Sequence, residues 1–239
     1  MRREMQCLAR SRFMTTAPDP YSLPDVSDMT VSVLGGTGEQ GRGLAQRLAR
    51  AGQRVLIGSR SEERAAEIAE GIGAGVHGVT NEQAAREGDI VIVAVPWDGH
   101  KELLASLAGA LAGKIVVDCV NPLGFDKQGA FALDVPEGSA AQQAAMVLPD
   151  SHVVAAFHHI SAVLLLDDSV ESIETDVLVL GDDRSATDSV QALASRIPGI
   201  RGVYGGRLRN AGQVEAWTAN LISMNRRYKA HAGVRITDV

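Results

Sequence analysis

Gly36, Gly38 and Gly41 follow the apolar and β-branched run Thr30-Val31-Ser32-Val33-Leu34 and precede Leu44, Ala45, Leu48 and Ala49 at helical spacing. Strand, tight turn and helix around Gly-x-Gly-x-x-Gly is the arrangement that binds a dinucleotide. One glycine makes the turn, one lets the backbone approach a pyrophosphate, and the third lets the helix pack closely on the strand. Amides at the helix N-terminus then face the phosphates. A glycine-rich turn can also serve only to reverse the chain, so the flanking strand and helix carry the inference.

About 20 residues after such glycines, an NAD-binding chain places an acidic residue on the ribose 2′-hydroxyl. Here that place holds Gly58-Ser59-Arg60, with Arg64 one helical turn on. Arg60 can give a 2′-phosphate charge-assisted bidentate bonds, Ser59 a hydroxyl, and Arg64 a second positive charge. The set predicts NADP rather than NAD; the alternative is a solvated helix start whose Arg64 pairs with a nearby Glu.

Ligands of such sheets lie beyond the carboxyl ends of the strands. Three segments fall there: Val95-Pro96-Trp97, Val120-Asn121-Pro122 and Phe157-His158-His159-Ile160-Ser161-Ala162. Adjacent histidines in an extended segment point to opposite faces, so at most one of His158 and His159 is expected to face the cleft. No Cys or carboxylate lies at ligand spacing from them, which argues against a metal. Tyr204 is followed four residues later by Leu208 and Tyr228 by Ala232, so the Tyr/Lys proton relay of short-chain dehydrogenases is absent. Nor is there a Gly-x-Ser-x-Gly elbow or a Gly-Lys-Ser/Thr phosphate loop. A redox site with no acid or base suits hydride transfer between two flat rings, which needs donor and acceptor held close, aligned and dry.

The elements that must position these residues alternate. Strands are expected at Thr30–Leu34, Arg54–Gly58, Gly75–Val79, Asp89–Val95, Lys114–Asp118, His152–Phe157, Asp176–Leu180 and Gly202–Gly205. Helices are expected after Gly38, after Ser61 and Asn81 as caps, and over Trp97–Leu111, Gly138–Leu148, Ala186–Ile197 and Ala211–Ala230, with a loop over Leu123–Pro136. The pattern predicts a Rossmann-type, doubly wound α/β fold with a mostly parallel sheet and a small C-terminal α/β domain. The expected division is a disordered or over-long tail at 1–28, a dinucleotide-binding domain at 29–163 and a closing domain at 164–239. In 239 residues a formal charge of −6 gives no general attraction to nucleic acid or anionic membrane, and no apolar run reaches a membrane span. Cys7 and Cys119 form no disulfide framework, which fits a cytoplasmic protein.

Val33-Leu34-Gly35-Gly36-Thr37-Gly38-Glu39-Gln40-Gly41, Gly58-Ser59-Arg60, Val95-Pro96-Trp97, Phe157 to Ala162, Val179-Leu180-Gly181-Asp182-Asp183 and Ile222 to Lys229 together resemble the F420-dependent NADP reductases. The resemblance implies reversible hydride transfer between NADP(H) and the deazaflavin coenzyme F420 in a homodimer. It also implies that Thr37, Gly38, Glu39 and Gln40 line the pyrophosphate, with the Thr37 hydroxyl on phosphate, and that Ser59, Arg60 and Arg64 hold the 2′-phosphate. Trp97, Asn121 and Ala162 would surround the nicotinamide, and His158 and the backbone at Ala232 would meet the deazaflavin. Arg207, Arg209, Arg226, Arg227 and Lys229 are candidates for the anionic F420 tail. Two alternatives share the Gly36 to Arg64 signature: another NADPH-dependent reductase and a non-enzymatic NADPH sensor.

Overall fold

The computed structural model describes residues 22–73 and 75–239. Of the expected 1–28 tail, residues 1–21 and with them Cys7 lie outside the described residues, while 22–28 run along the surface and are anchored through Val26. Val26 is buried in the core and its carbonyl accepts from the Gln53 side-chain amide at 2.9 Å.

The first half of the chain is a run of parallel crossovers. β1 (Thr30–Leu34), β2 (Arg54–Ser59) and β3 (Val76–Thr80) alternate with α1 (Glu39–Arg50) and α2 (Glu62–Ile72). α3 (Asn81–Glu87) then returns the chain to β4 (Ile90–Val93), which pairs with β1 on the side opposite β2. Ser61 caps α2 as expected, its hydroxyl accepting from Arg64 N at 3.2 Å. α3 is capped by Thr80 rather than Asn81: the Asn81 side chain is turned to Gly35 N, from which its Oδ1 accepts at 3.3 Å.

α4 (His100–Leu111) leads to β5 (Ile115–Asp118). It starts three residues later than the pattern predicts, because Gly99 stands at φ 87, a left-handed conformation that cannot continue a helix backwards. Trp97 is therefore in the strand-to-helix loop. The expected loop at 123–136 contains an antiparallel hairpin, β6 (Leu123–Asp126) and β7 (Gly129–Ala132). α5 (Ala140–Val147) and β8 (His152–Ala155) follow, then a short helix α6 (Ala162–Leu166). β9 (Thr175–Gly181), α7 (Arg184–Ser195), β10 (Ile200–Gly206) and α8 (Ala211–Tyr228) complete the chain.

Eight strands form one sheet in the order β10-β9-β8-β5-β4-β1-β2-β3. Only the β8–β9 pair is antiparallel, so the residues after 164 extend the same sheet through a second parallel unit, β9-α7-β10. Alternate strand residues feed two cores. Val31 and Val33 pack with Leu44 and Leu48 of α1, Ala65 of α2 and Leu193 of α7. Leu34, Val93 and Val116 pack with Ala84 of α3, Leu104 of α4, Ala144 of α5 and Val214 of α8. The helices thus change face between β1 and β4, and the strand ends there open into a crevice, the topological switch point at which such sheets bind ligands. Among the described residues no helix is long and apolar enough to cross a membrane.

Candidate nucleotide and hydride-transfer site

The glycine turn sits at the carboxyl end of β1, tight against its neighbours. Gly35 stands at φ 69, and a Cβ there would lie 2.6 Å from Val95 Cγ1. A Cβ on Gly41 would lie 2.9 Å from Gly36 Cα and 3.1 Å from Val33 Cγ1, so the missing side chain is what lets α1 approach β1. Gly38 is different: the nearest atom to a Cβ there is Gly35 O at 3.6 Å, and the residue is exposed at the mouth of the turn. Gly38 is also the N-cap of α1 and supplies no side-chain cap, which leaves the first amides of that helix to a ligand. Glu39 is exposed, and Thr37 and Gln40 are half-buried.

The end of β2 adjoins this turn, Gly36 N donating to Gly58 O at 3.1 Å. Ser59 is buried, its hydroxyl accepting from Ser61 N. Arg60 and Arg64 are exposed, and neither side chain has an ion pair or hydrogen bond among the described residues. The carboxylate partner that a merely solvated Arg64 would take is therefore missing: Glu63 binds the Ser61 hydroxyl instead.

Beyond the ends of β4, β5 and β8 lies a cleft of about 280 Å³ lined by Gln40, Trp97, Cys119, Asn121, His158 and Thr218, with Ala94 to Pro96, Val120 and Ile160 around them. The Asn121 amide donates to His158 O at 2.8 Å, and the Thr218 hydroxyl of α8 donates to the same carbonyl at 3.1 Å. Thr218 and Cys119 escaped sequence reasoning. Cys119 follows the strand, but nothing in the sequence sets Thr218 apart from the rest of α8. Ala162 begins α6 and is not among the lining residues.

The two histidines face different clefts, though not by strand alternation: β8 ends at Ala155, and His158 and His159 stand in a turn that follows Phe157 at φ 65. His158 is buried in the cleft, and neither ring nitrogen has a partner among the described residues. Burial pushes its pKa down to about 4, against the opposing charge of Asp118, so it is neutral at pH 7 and offers one donor and one acceptor. His159 turns the other way, its Nε2 bonded to Asp176 O at 2.7 Å, and lines a second cleft of about 260 Å³ with Ser161, His231, Ala232 and Gly233. His158 and Ala232 thus border different clefts, separated by Ile160, which lines both.

The C-terminal segment at the second cleft is pinned rather than loose. Ala232 N donates to Asn225 Oδ1 at 2.6 Å, and Thr175 Oγ1 accepts from Val234 N at 3.0 Å. Buried Asp176 takes both Arg201 and Arg235, and the Arg201 bonds hold its carboxyl well below the usual range. Arg207 lies elsewhere, with Asp182 and Arg184 at a cavity beside β10. Among the described residues no group of three or more His, Cys, Asp or Glu is placed to hold a metal ion.

Residues 30–122 match the family model described as NADP oxidoreductase, coenzyme F420-dependent. The F420-dependent NADP reductase of Methanothermobacter marburgensis is 40% identical over 223 residues, covering 88% of this chain and 99% of that protein. That of Methanocaldococcus jannaschii is 38% identical over 223 residues, with 88% and 99% covered. A solved structure from Arthrobacter sp. FB24, described as a candidate F420-dependent NADP-reductase, superposes with a TM-score of 0.74 at 25% identity, over 87% of this chain and 99% of that one. With relatives this similar over nearly their whole length, the chain belongs to the F420-dependent NADP reductase family.

Proposed function

We propose that this chain is a cytoplasmic oxidoreductase that exchanges hydride reversibly between NADP(H) and coenzyme F420 by direct contact of the two rings. The observation that supports this most is His158: a buried, neutral imidazole at an open cleft, with both nitrogens unpartnered among the described residues, fits a ligand carrying both donors and acceptors. The two coenzymes supply the redox chemistry themselves, so the protein's work is to bind, align and exclude water.

The amides of Thr37, Glu39 and Gln40 take the pyrophosphate, with the Thr37 hydroxyl beside them; Gly38, whose own amide donates to Gly35 O at 3.1 Å, lines it without a side chain, and Gly36 and Gly41 bring the helix close enough. Ser59, Arg60 and Arg64 take the 2′-phosphate. Trp97 and Asn121 flank the nicotinamide end, with Ala162 farther along the same segment as His158. His158 and the backbone at Ala232 hold the deazaflavin; Ile160 borders both of their clefts, which supports one elongated coenzyme occupying the two. With His158 neutral, no residue here acts as an acid or base, and none is required. In this reading residues 29–163 bind the nucleotide and 164–239 close the F420 side.

A homodimer belongs to the same proposal. Phe125 is 70% exposed and Phe131 45% on the β6–β7 hairpin, and Trp217 is 42% exposed on α8 beside it, an apolar face suited to a second copy. Sedimentation of the full chain checks this: a monomer at micromolar concentration argues against it.

The decisive assay follows F420 absorbance with pure protein and NADPH, then NADH. Bleaching with NADPH and little with NADH is expected; no bleaching with either defeats the proposal.

A further inference from the structure

Behind the floor of the first cleft lies a polar cluster built from four elements: His100 of α4, Asp118 of β5, Gln143 of α5 and Glu215 of α8, all buried. His100 Nε2 meets Asp118 Oδ2 at 2.6 Å and its Nδ1 meets Gln143 Oε1 at 3.1 Å. Each ring nitrogen thus faces an oxygen, an arrangement that the doubly protonated imidazolium satisfies on both sides. Burial alone lowers the His100 pKa, but the Asp118 hydrogen bond and charge outweigh it and the net direction is up. Glu215 closes the cluster by accepting from Ala140 N and Ala141 N at the start of α5.

Taking an ion pair out of water carries a large desolvation cost, and apolar side chains of equal volume fill such a place without it. The pair therefore calls for an account beyond packing, and its two connections supply one. His100 stacks against Trp97, ring centroids 5.5 Å apart and planes 32° apart. Asp118 Oδ1 accepts from Val120 N at 3.0 Å, inside the Cys119–Asn121 floor. Trp97 and all three floor residues line the cleft. The negative charge is felt there too: Asp118 favours the protonated form of His158 and opposes ionisation of Cys119.

We propose that Asp118, set by His100, is a positioning and charge-selecting residue for the nicotinamide: it fixes Trp97 and the Cys119–Asn121 floor, and its buried charge favours the oxidised, cationic ring over the reduced, neutral one. This rests on reading the first cleft as the nicotinamide site. A group that only braced the fold would weaken both redox forms alike; a buried charge separates them.

The test measures dissociation constants of NADP+ and NADPH for the full-length protein by calorimetry at pH 6, below the ordinary imidazole value, where His100, shifted upward, carries its proton. Asp118→Asn keeps the shape and removes the carboxylate; burial then drives the proton off His100, so what is lost is the pair's field, its negative end toward the cleft floor, and the ratio of the NADP+ to the NADPH constant is expected to rise at least about threefold. His100→Gln removes the compensating cation, and the ratio is expected to fall at least about threefold by the same reasoning. Equal weakening of both forms in a folded Asp118→Asn overturns the proposal. Should that variant not fold, a ratio in His100→Gln that rises or stays within twofold overturns it. Wild-type protein that binds neither form defeats the nucleotide reading and this inference with it, whereas wild-type binding with unchanged variant ratios defeats this inference alone.

Discussion

The side-chain amide of Gln40 donates to the carbonyl of Phe157 at 3.2 Å, tying the first turn of α1 to a residue 117 positions on. Phe157 is fully buried and stands at φ 65, a left-handed conformation that a bulky residue adopts at a cost of about 1–3 kcal/mol. The kink lies immediately before His158, so the bond that holds it also sets where that imidazole points. Gln40→Leu leaves the Phe157 carbonyl unsatisfied, a loss of about 1–3 kcal/mol. A melting temperature lower by several degrees is expected, with KM for F420 rising more than KM for NADPH. Unchanged melting and unchanged F420 kinetics would show that the bond carries neither.

The three glycines of the turn are expected to respond differently to alanine. At Gly41 a Cβ meets Gly36 Cα at 2.9 Å, which is backbone and cannot give, so Gly41→Ala forces α1 from β1 at a cost of about 1–3 kcal/mol. At Gly38 the nearest atom is 3.6 Å away and φ is an ordinary −76, so Gly38→Ala keeps the wild-type melting temperature. Its methyl projects where the pyrophosphate approaches, and NADPH affinity is expected to fall at least about tenfold, roughly 1.4 kcal/mol. Thermal melts and NADPH titration of the two variants separate these effects; a Gly38→Ala protein with wild-type affinity would move the phosphates off this turn.

How far the sequence is legible follows from whether a signal is local. Thr30–Leu34 followed by glycines and then Leu44 and Leu48 switches from a strand run to a helical period within a few residues, and the strand, turn and α1 lie where that switch predicts. The β6–β7 hairpin is missed because Leu123-Gly124-Phe125-Asp126 and Gly129-Ala130-Phe131-Ala132 are short, glycine-broken and half exposed, and so lack a buried alternation. α6 is missed because five apolar residues carry no period. The His100–Asp118 pair is invisible for another reason. Its members are 18 positions apart on separate elements, and only the α4–β5 crossover brings them to 2.6 Å. Asp118, a charge ending an otherwise apolar strand, was the one available hint.

Arg60 and Arg64 form no ion pair among the described residues, so removing them costs the fold little. Each charge-assisted bond to a 2′-phosphate contributes about 1.5–3 kcal/mol, so Arg60→Ala and Arg64→Ala are expected to raise KM for NADPH about 10- to 100-fold. NADH lacks that phosphate, and its use should change little. Steady-state kinetics with both nucleotides decides the matter: unchanged NADPH affinity together with poorer NADH use would mean that the 2′-phosphate is held elsewhere.

His158 and Glu215 pull the pH dependence of stability in opposite directions. Burial lowers the His158 pKa from 6.5 to about 4, so between those values the unfolded chain binds a proton that the folded one excludes, and stability falls as pH drops. Glu215 is raised from 4.5 to about 7, by burial first and by Asp118 charge next, so its contribution is present below 4.5 and lost as pH rises through 7. The two largely cancel between pH 7 and 5, and single variants uncover them. His158→Gln should gain about 2 kcal/mol on the wild type as pH drops from 7 to 5, and Glu215→Gln should lose about 2–3 kcal/mol on it over the same range. Urea unfolding at the two pH values measures both. A His158→Gln protein whose stability runs parallel to wild type would mean that this imidazole is hydrated in the free protein and takes up its proton as freely as in the unfolded chain.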